Sequence, residues 1–291
     1  MPLTTPQAFD ALYEAVKQDT GTSAKVSARK GYVRDALAKA FPATATVQLQ
    51  NTWVVGSMGR GTASRPFNDI DLMAHLHVDD DLWRRTYMNN SADFLYRVRT
   101  SLNQTSTVQK IGARGQAVRL FYQDGLSVDV AAVVKNREGV YAIPDGSGGW
   151  LQTNPLQHDT YMNRRNAELG NNLKRFVVVL KQWNKAHSSR LSSFHLEMLA
   201  ARTFSTLGSN RREALRVFFN YNLHNLSVFD PAGFGGDLSA GLTSTTKQAI
   251  NQSLTVARDR ADLAIAAESR GDHAEAKRLW RIILGDSFPT S

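Results

Sequence analysis

Leu126-Ser127-Val128-Asp129-Val130-Ala131-Ala132-Val133 sets one ionisable carboxylate inside an otherwise apolar run. The run reads as a buried strand. Burying an unpaired carboxylate is costly, so Asp129 demands a partner. A second run, Asp69-Ile70-Asp71-Leu72-Met73-Ala74-His75-Leu76, alternates strictly. As a strand it turns Ile70, Leu72, Ala74 and Leu76 to the core and puts Asp69 and Asp71 together on the other face. Two carboxylates so placed repel each other, and a divalent cation relieves the repulsion. Their hard oxygens suit magnesium. An Asp-x-Asp pair at a strand end is more often simply solvated, and Asp129 is what turns the reading toward metal. If the two strands pair, three carboxylates form a two-metal site able to activate a hydroxyl and stabilise a leaving pyrophosphate. His75 shares the Asp face and reads as a surface histidine, not a ligand.

Twelve positions before Asp69, the step Gly56-Ser57 ends the apolar run Val54-Val55 and opens Met58-Gly59-Arg60-Gly61-Thr62. Glycine lets backbone N–H groups approach an anion, and a serine hydroxyl adds a donor. No Gly-Lys-Ser/Thr follows, so this is not a Walker loop. An ordinary strand-to-helix turn is the plain alternative.

Periodicity predicts helix over residues 6–41, stopped by Pro42, then strands over 47–55 and 69–76 and a mostly helical stretch over 82–102. Strands over 118–122 and 126–134 flank Asp124-Gly125, a hairpin signal. Its loop length decides the side of Arg119: an odd loop puts it on the Asp129 face, an even loop on the other. Pro144–Gly149 is a turn-rich break. From about His158 the chain reads as helical to its end, with a loop at 230–236 and a helical pair over 238–270 and 272–284. The stripe Phe176, Val179, Leu180 and Trp183 reads as core. The expectation is an α+β chain with a mixed α/β lobe over 1–150 and a helical lobe over 151–291, the N-terminal helices being able to pack on the second.

The net charge of +9, from 35 basic and 26 acidic residues, suits a polyanionic ligand such as a nucleotide or nucleic acid, or only a basic surface. No cysteine is present, which excludes disulfides and thiolate zinc sites and makes a reducing cytoplasm the simplest compartment. The N-terminal residues do not read as a signal peptide, and no stretch approaches the ~20 apolar residues of a membrane span.

Together these residues resemble the DNA polymerase β-like nucleotidyltransferase superfamily. VVGSMGRGTASRPFNDIDLMAHL, GLSVDVAAVV, LKQWNKAHSSRLSSFHLEMLA and the ending RLWRIILGDSFP are similar to the bacterial cGAS/DncV-like nucleotidyltransferases, the CD-NTases of anti-phage signalling. The resemblance runs from about residue 25 to 289. It implies a two-lobed fold with the active site in a cleft, and synthesis of cyclic di- or trinucleotides from NTPs. Carried over by position, Gly56 and Ser57 hold the donor triphosphate, and Asp69, Asp71 and Asp129 bind Mg2+, for which Mn2+ can substitute. Lys181 and Ser193 contact phosphate, although Ser192 or Ser193 could instead cap a helix. Arg119 is placed for a further phosphate contact. Asn166 stands where a base could lie, or on a solvated helix face. Asp230 stands near an acceptor nucleoside, or only fixes the turn before Pro231. Two alternatives share the carboxylates or the fold: a linear polymerase or antibiotic-modifying nucleotidyltransferase, and an inactive nucleotide- or RNA-binding module. Animal relatives that sense DNA carry a zinc-bearing insertion. The absence of cysteine and the short 144–155 turn predict no obligatory nucleic-acid activator, leaving control to a small molecule or regulatory partner protein.

Overall fold

In the computed structural model, residues 2–66, 69–103, 108–136 and 138–291 are described. The helix expected over 6–41 is two helices, α1 (Thr5–Val16) and α2 (Thr20–Ala40). Lys17 leaves the helical region, and Asp19 starts α2 by accepting the Thr22 N–H at 2.7 Å. A capping carboxylate at that position favours a fresh helix start.

The chain divides into two units by contact. The first, a sheet unit, takes residues 19–60 and 67–159. After α2 come β1 (Val47–Val54), the single turn α3 (Gly56–Gly59) and β2 (Asp69–Val78). The stretch expected as mostly helical over 82–102 is α4 (Asp80–Leu82), a π-helical turn over Trp83–Tyr87, and α5 (Ser91–Leu102). Next follow β3 (Lys110–Arg114), β4 (Ala117–Phe121), β5 (Ser127–Lys135), β6 (Tyr141–Pro144) and β7 (Trp150–Thr153). The strand order is β1-β2-β5-β4-β3, with β6 on β5 and β7 on β6. Only β2 and β5 run parallel among these pairs. The turn-rich segment expected to end a lobe is the turn of the β6–β7 hairpin, its backbone tied by Asp145, which accepts from Ser147 and Gly149 N–H. Residue 150 is thus the first of β7.

The alternation of β2 appears as burial. Ile70, Leu72, Ala74 and Leu76 are inaccessible, while Asp69 is exposed and Asp71 half-buried.

The second, helical unit takes residues 1–18, 61–66 and 160–291. It contains α1 and most of α6 (Pro155–Glu168), then α7 (Leu173–Ala186), α8 (Ser193–Thr203), α9 (Arg211–Tyr221), α10 (Ser244–Ser269) and α11 (His273–Leu284). Phe176, Val179, Leu180 and Trp183 of α7 lie in its core, as their spacing predicts. Phe9 of α1 meets Trp280 and Phe288 edge to face, each at 5.0 Å between ring centroids. Among the described residues no helix is long and apolar enough to cross a membrane.

Candidate active site

The parallel register pairs Asp69 with Ser127 and Asp71 with Asp129. Alternation keeps Asp69 on the face of Asp71, so three carboxylates occupy one face of two neighbouring strands. The β4–β5 loop, residues 122–126, is odd, and Arg119 pairs directly with Asp129. Its guanidinium grips both Asp129 oxygens, Nε at 2.5 Å from Oδ1 and Nη2 on Oδ2. Asp129 in turn raises the Arg119 pKa above its ordinary value.

Above the acids the same face becomes apolar. Met73, Val55 and Val133 are buried together, with Trp53, Tyr141, Ile143 and Leu156 against them. His75 stacks on Trp53 at 6.4 Å and meets Tyr141 edge-on at 5.3 Å, a packed side chain whose pKa is lowered by burial, Lys135 and His77. This shielding acts on Asp71. Burial first, then Asp69 and then Asp129 push its pKa up to about 6, against Arg60 and Arg119.

The glycine turn lies on this carboxylate. Val55 donates its N–H to the Asp71 carbonyl at 2.9 Å, and Gly56 takes φ +66°. A Cβ on Gly56 would stand 1.9 Å from Asp71 Oδ2, and one on Gly59 would stand 2.5 Å from the Val54 carbonyl oxygen. Both positions therefore admit only hydrogen, Gly56 also for its left-handed backbone. Ser57 follows within the same turn. Arg60, buried at the end of the turn, lowers the Asp71 pKa by its charge. Sequence reading missed it, and its one signal was a basic residue closing a glycine turn before two acids.

The remaining expected residues belong to the helical unit. Ser193 is the exposed first residue of α8, while Ser192 is the cap, accepting the His195 N–H at 3.1 Å. Asn166 braces the α6–α7 turn: its amide donates to Asn171 Oδ1 at 3.0 Å and its oxygen accepts the Lys174 N–H at 3.0 Å. Asp230 ties its own loop, accepting from Ala232 N–H at 3.0 Å and Gly235 N–H at 2.7 Å. Lys181, expected at a phosphate, has a buried ammonium that donates to Glu197 Oε1 at 2.7 Å and to the Thr62 carbonyl at 2.9 Å.

Three hard-oxygen donors on one face, one of them burdened with a raised pKa, have the chemistry a divalent cation relieves. As the side chains stand, no group of three His, Asp or Glu among the described residues is ready to hold a metal ion, and Asp129 is engaged by Arg119. A cation drawing on Asp129 would share its oxygens with that guanidinium or displace it.

Acids carried on adjacent parallel strands, with a glycine turn packed against one of them, place this fold among the nucleotidyltransferases. Residues 3–166 match the family model for the Second Messenger Oligonucleotide or Dinucleotide Synthetase domain. The match spans more than half of the chain, which belongs to this family. A probable cyclic nucleotide synthase of Bacillus cereus strain VD146 is 29% identical over 270 residues, covering 81% of each protein. A cyclic AMP-AMP-AMP synthase of Acinetobacter sp. strain ATCC 27244 / 9458 is 27% identical over 313 residues, covering 99% of this chain and 87% of the relative. The solved structure of E. coli MS115-1 CdnC with ATP superposes with a TM-score of 0.80 at 19% identity, covering 99% of each chain. The same E. coli protein in complex with HORMA-deltaN gives 0.77 at 19% identity, covering 96% of each. The structural likeness, at that identity, speaks for the fold.

Proposed function

We propose that this chain joins NTPs into a cyclic oligonucleotide second messenger with release of pyrophosphate, in anti-phage signalling. The observation that carries the reading is the register of β2 and β5, which sets Asp71 beside Asp129 with Asp69 on the same face. In each transfer a ribose hydroxyl loses its proton and its oxygen bonds to the α-phosphorus of a 5′-triphosphate, that of an NTP or, at ring closure, of the linear intermediate, as the bond to pyrophosphate breaks. Gly56 and Ser57 cradle the donor triphosphate, with Ser193 as a further phosphate contact. Asp69, Asp71 and Asp129 would hold magnesium. That ion, when bound, would supply charge stabilisation for the attacking and leaving oxygens. Arg60 and Arg119 flank the acids with positive charge, and Arg119, now on Asp129, is placed to add a phosphate contact. The apolar wall of Met73, Val55 and Val133 limits water beside Asp71, where lower polarity strengthens each charge interaction.

Cyclic triadenylate is the first product to seek, because the Acinetobacter relative is named for it. Control by a partner protein is favoured over a nucleic-acid activator, and the CdnC complex makes a HORMA protein the first regulator to try. The test is incubation with each labelled NTP mixture and magnesium or manganese, phosphatase treatment, and mass identification of what survives. A phosphatase-resistant cyclic product is expected. A ladder of phosphatase-sensitive oligomers would move the reading to a linear nucleotidyltransferase.

A further inference from the structure

β2 and β5 run parallel, so the strands that bring the acids together at one end also finish side by side at the other. A cavity of about 800 Å3 opens at that far end, within the sheet unit. Cavities of this size take small organic molecules. Neither the three acids nor Gly56 and Ser57 line it. His75, the lining residue of β2 nearest the acids, stands roughly 13 Å along the strand from Asp71.

The lining is graded from apolar to charged. Leu76, Val78 and Val134 are its buried part. Two half-buried rings follow, Trp83 and His75, and both are held in place. Trp83 opens the π-helical turn, a rare form found mostly at functional sites. The Met88 N–H reaches back five residues to the Trp83 carbonyl at 2.9 Å. Trp150 braces the turn: its Nε1–H donates to the Tyr87 carbonyl at 2.9 Å, and its ring lies 4.9 Å from that of Trp83. His75 is fixed by Trp53 and Tyr141, yet neither of its ring nitrogens has a hydrogen-bond partner among the described residues. With its pKa held down by burial, Lys135 and His77, the ring stays neutral at pH 7 and offers one donor and one acceptor. The exposed part of the lining has charges of both signs. Arg84 pairs with Asp80 at 3.5 Å, and Glu138 stands with them. Lys135 has no ion pair among the described residues, its ammonium lying 5.5 Å from the centre of the Tyr141 ring.

We propose that this cavity binds a nucleoside phosphate, with the base against Trp83 and the buried aliphatic residues, the base edge at His75, and the phosphate on Lys135 and Arg84. A base has a flat π-face, which suits an indole. Its edge sets donors beside acceptors, and a neutral imidazole can meet either. Lysine and arginine are the usual phosphate donors. Ribose hydroxyls give Asp80 and Glu138 something to accept from, as carboxylates do in dinucleotide sites. An organic anion without hydroxyls would meet those two carboxylates only as repulsion. The site is separate from the acids, and the proposal does not depend on the reaction assigned to them.

The probes are AMP, GMP, CMP and UMP, which lack the pyrophosphate of a donor substrate. Each is titrated calorimetrically in EDTA into wild type, Arg84→Ala/Lys135→Ala and Asp69→Asn/Asp71→Asn. Arg84 and Lys135 are exposed, so their removal should leave the fold intact. At least one monophosphate should bind wild type at a single site with Kd below about 1 mM. It should bind Arg84→Ala/Lys135→Ala about tenfold or more weakly. Its affinity for Asp69→Asn/Asp71→Asn should stay within about threefold of wild type. The matching nucleoside, and ribose 5-phosphate, should each bind wild type at least about tenfold more weakly than the monophosphate. No binding by any of the four would overturn the proposal, as would an affinity unchanged by loss of Arg84 and Lys135. Loss of binding in the aspartate variant alone would put the monophosphate at the acids and overturn it too. A nucleoside or a sugar phosphate that binds as tightly as the nucleotide would remove the nucleotide as the ligand. Failure of wild type to make a cyclic product would count against the proposed function and leave this comparison untouched.

Discussion

Asp71 concentrates the physics of the site in one side chain. Its pKa of about 6 in the folded chain lies above the ordinary 3.8, so the fold binds its proton more tightly than the unfolded chain does. Without divalent cation, this group therefore lowers stability as pH rises from about 4 to about 6, and the loss persists above that range. Asp71→Asn removes the burdened charge. In EDTA at pH 7.5 the variant should be more stable than wild type by roughly 2 kcal/mol, and at pH 4 the difference should vanish. Thermal melts at the two pH values check this, and a variant less stable at pH 7.5 would contradict it. Asp69→Asn with Asp71→Asn should keep the fold and lose several orders of magnitude of activity, as should EDTA on the wild type. Gly56→Ala meets both a forbidden backbone and the Asp71 carboxylate, so it should cost about 1–3 kcal/mol and lose activity together, read by melting and pyrophosphate release.

At the scale of elements, what mattered was which strand lies beside which. The alternation of β2 and the apolar run of β5 were legible because each strand carries its own two-residue period. Short β3, β6 and β7 were not, since four or five residues with mixed burial hold too little pattern. The helix break at Lys17–Asp19 was also missed, because the helical period continues across it while the Asp19 cap restarts the chain. The side of Arg119 depended on one count, the length of the 122–126 loop, which Asp124-Gly125 alone does not settle. If Arg119 competes with a cation for Asp129, Arg119→Ala should tighten Mn2+ binding in the absence of nucleotide, followed by electron paramagnetic resonance. Weaker binding would make the arginine a support for the metal site. In the helical unit, Phe9→Ala removes the ring between Trp280 and Phe288 and should cost about 3–5 kcal/mol in a denaturant titration.

For the whole molecule, the +9 charge allows non-specific contact with nucleic acid that should fade as salt rises. Activity should not depend on it. Initial rates with NTPs and magnesium, with and without duplex DNA or RNA, should agree at physiological salt. Stimulation of about tenfold or more would point instead to a nucleic-acid sensor and remove a partner protein from first place as regulator.

Residue types and short periods, which are local properties, determined by themselves that three acids, a glycine turn and a largely helical C-terminal half belong to this chain. The tertiary structure alone decided the rest. It paired Asp71 with Asp129 in register, turned Arg119 onto Asp129, and gave Arg60 a place beside Asp71. It also drew Gly61–Pro66 into the helical unit, where Lys181 spends its charge on Glu197 and a backbone carbonyl. Each of these joins residues far apart along the chain. Their energy comes from burial and from the pairing of charges, and neither is written in the spacing of the residues involved.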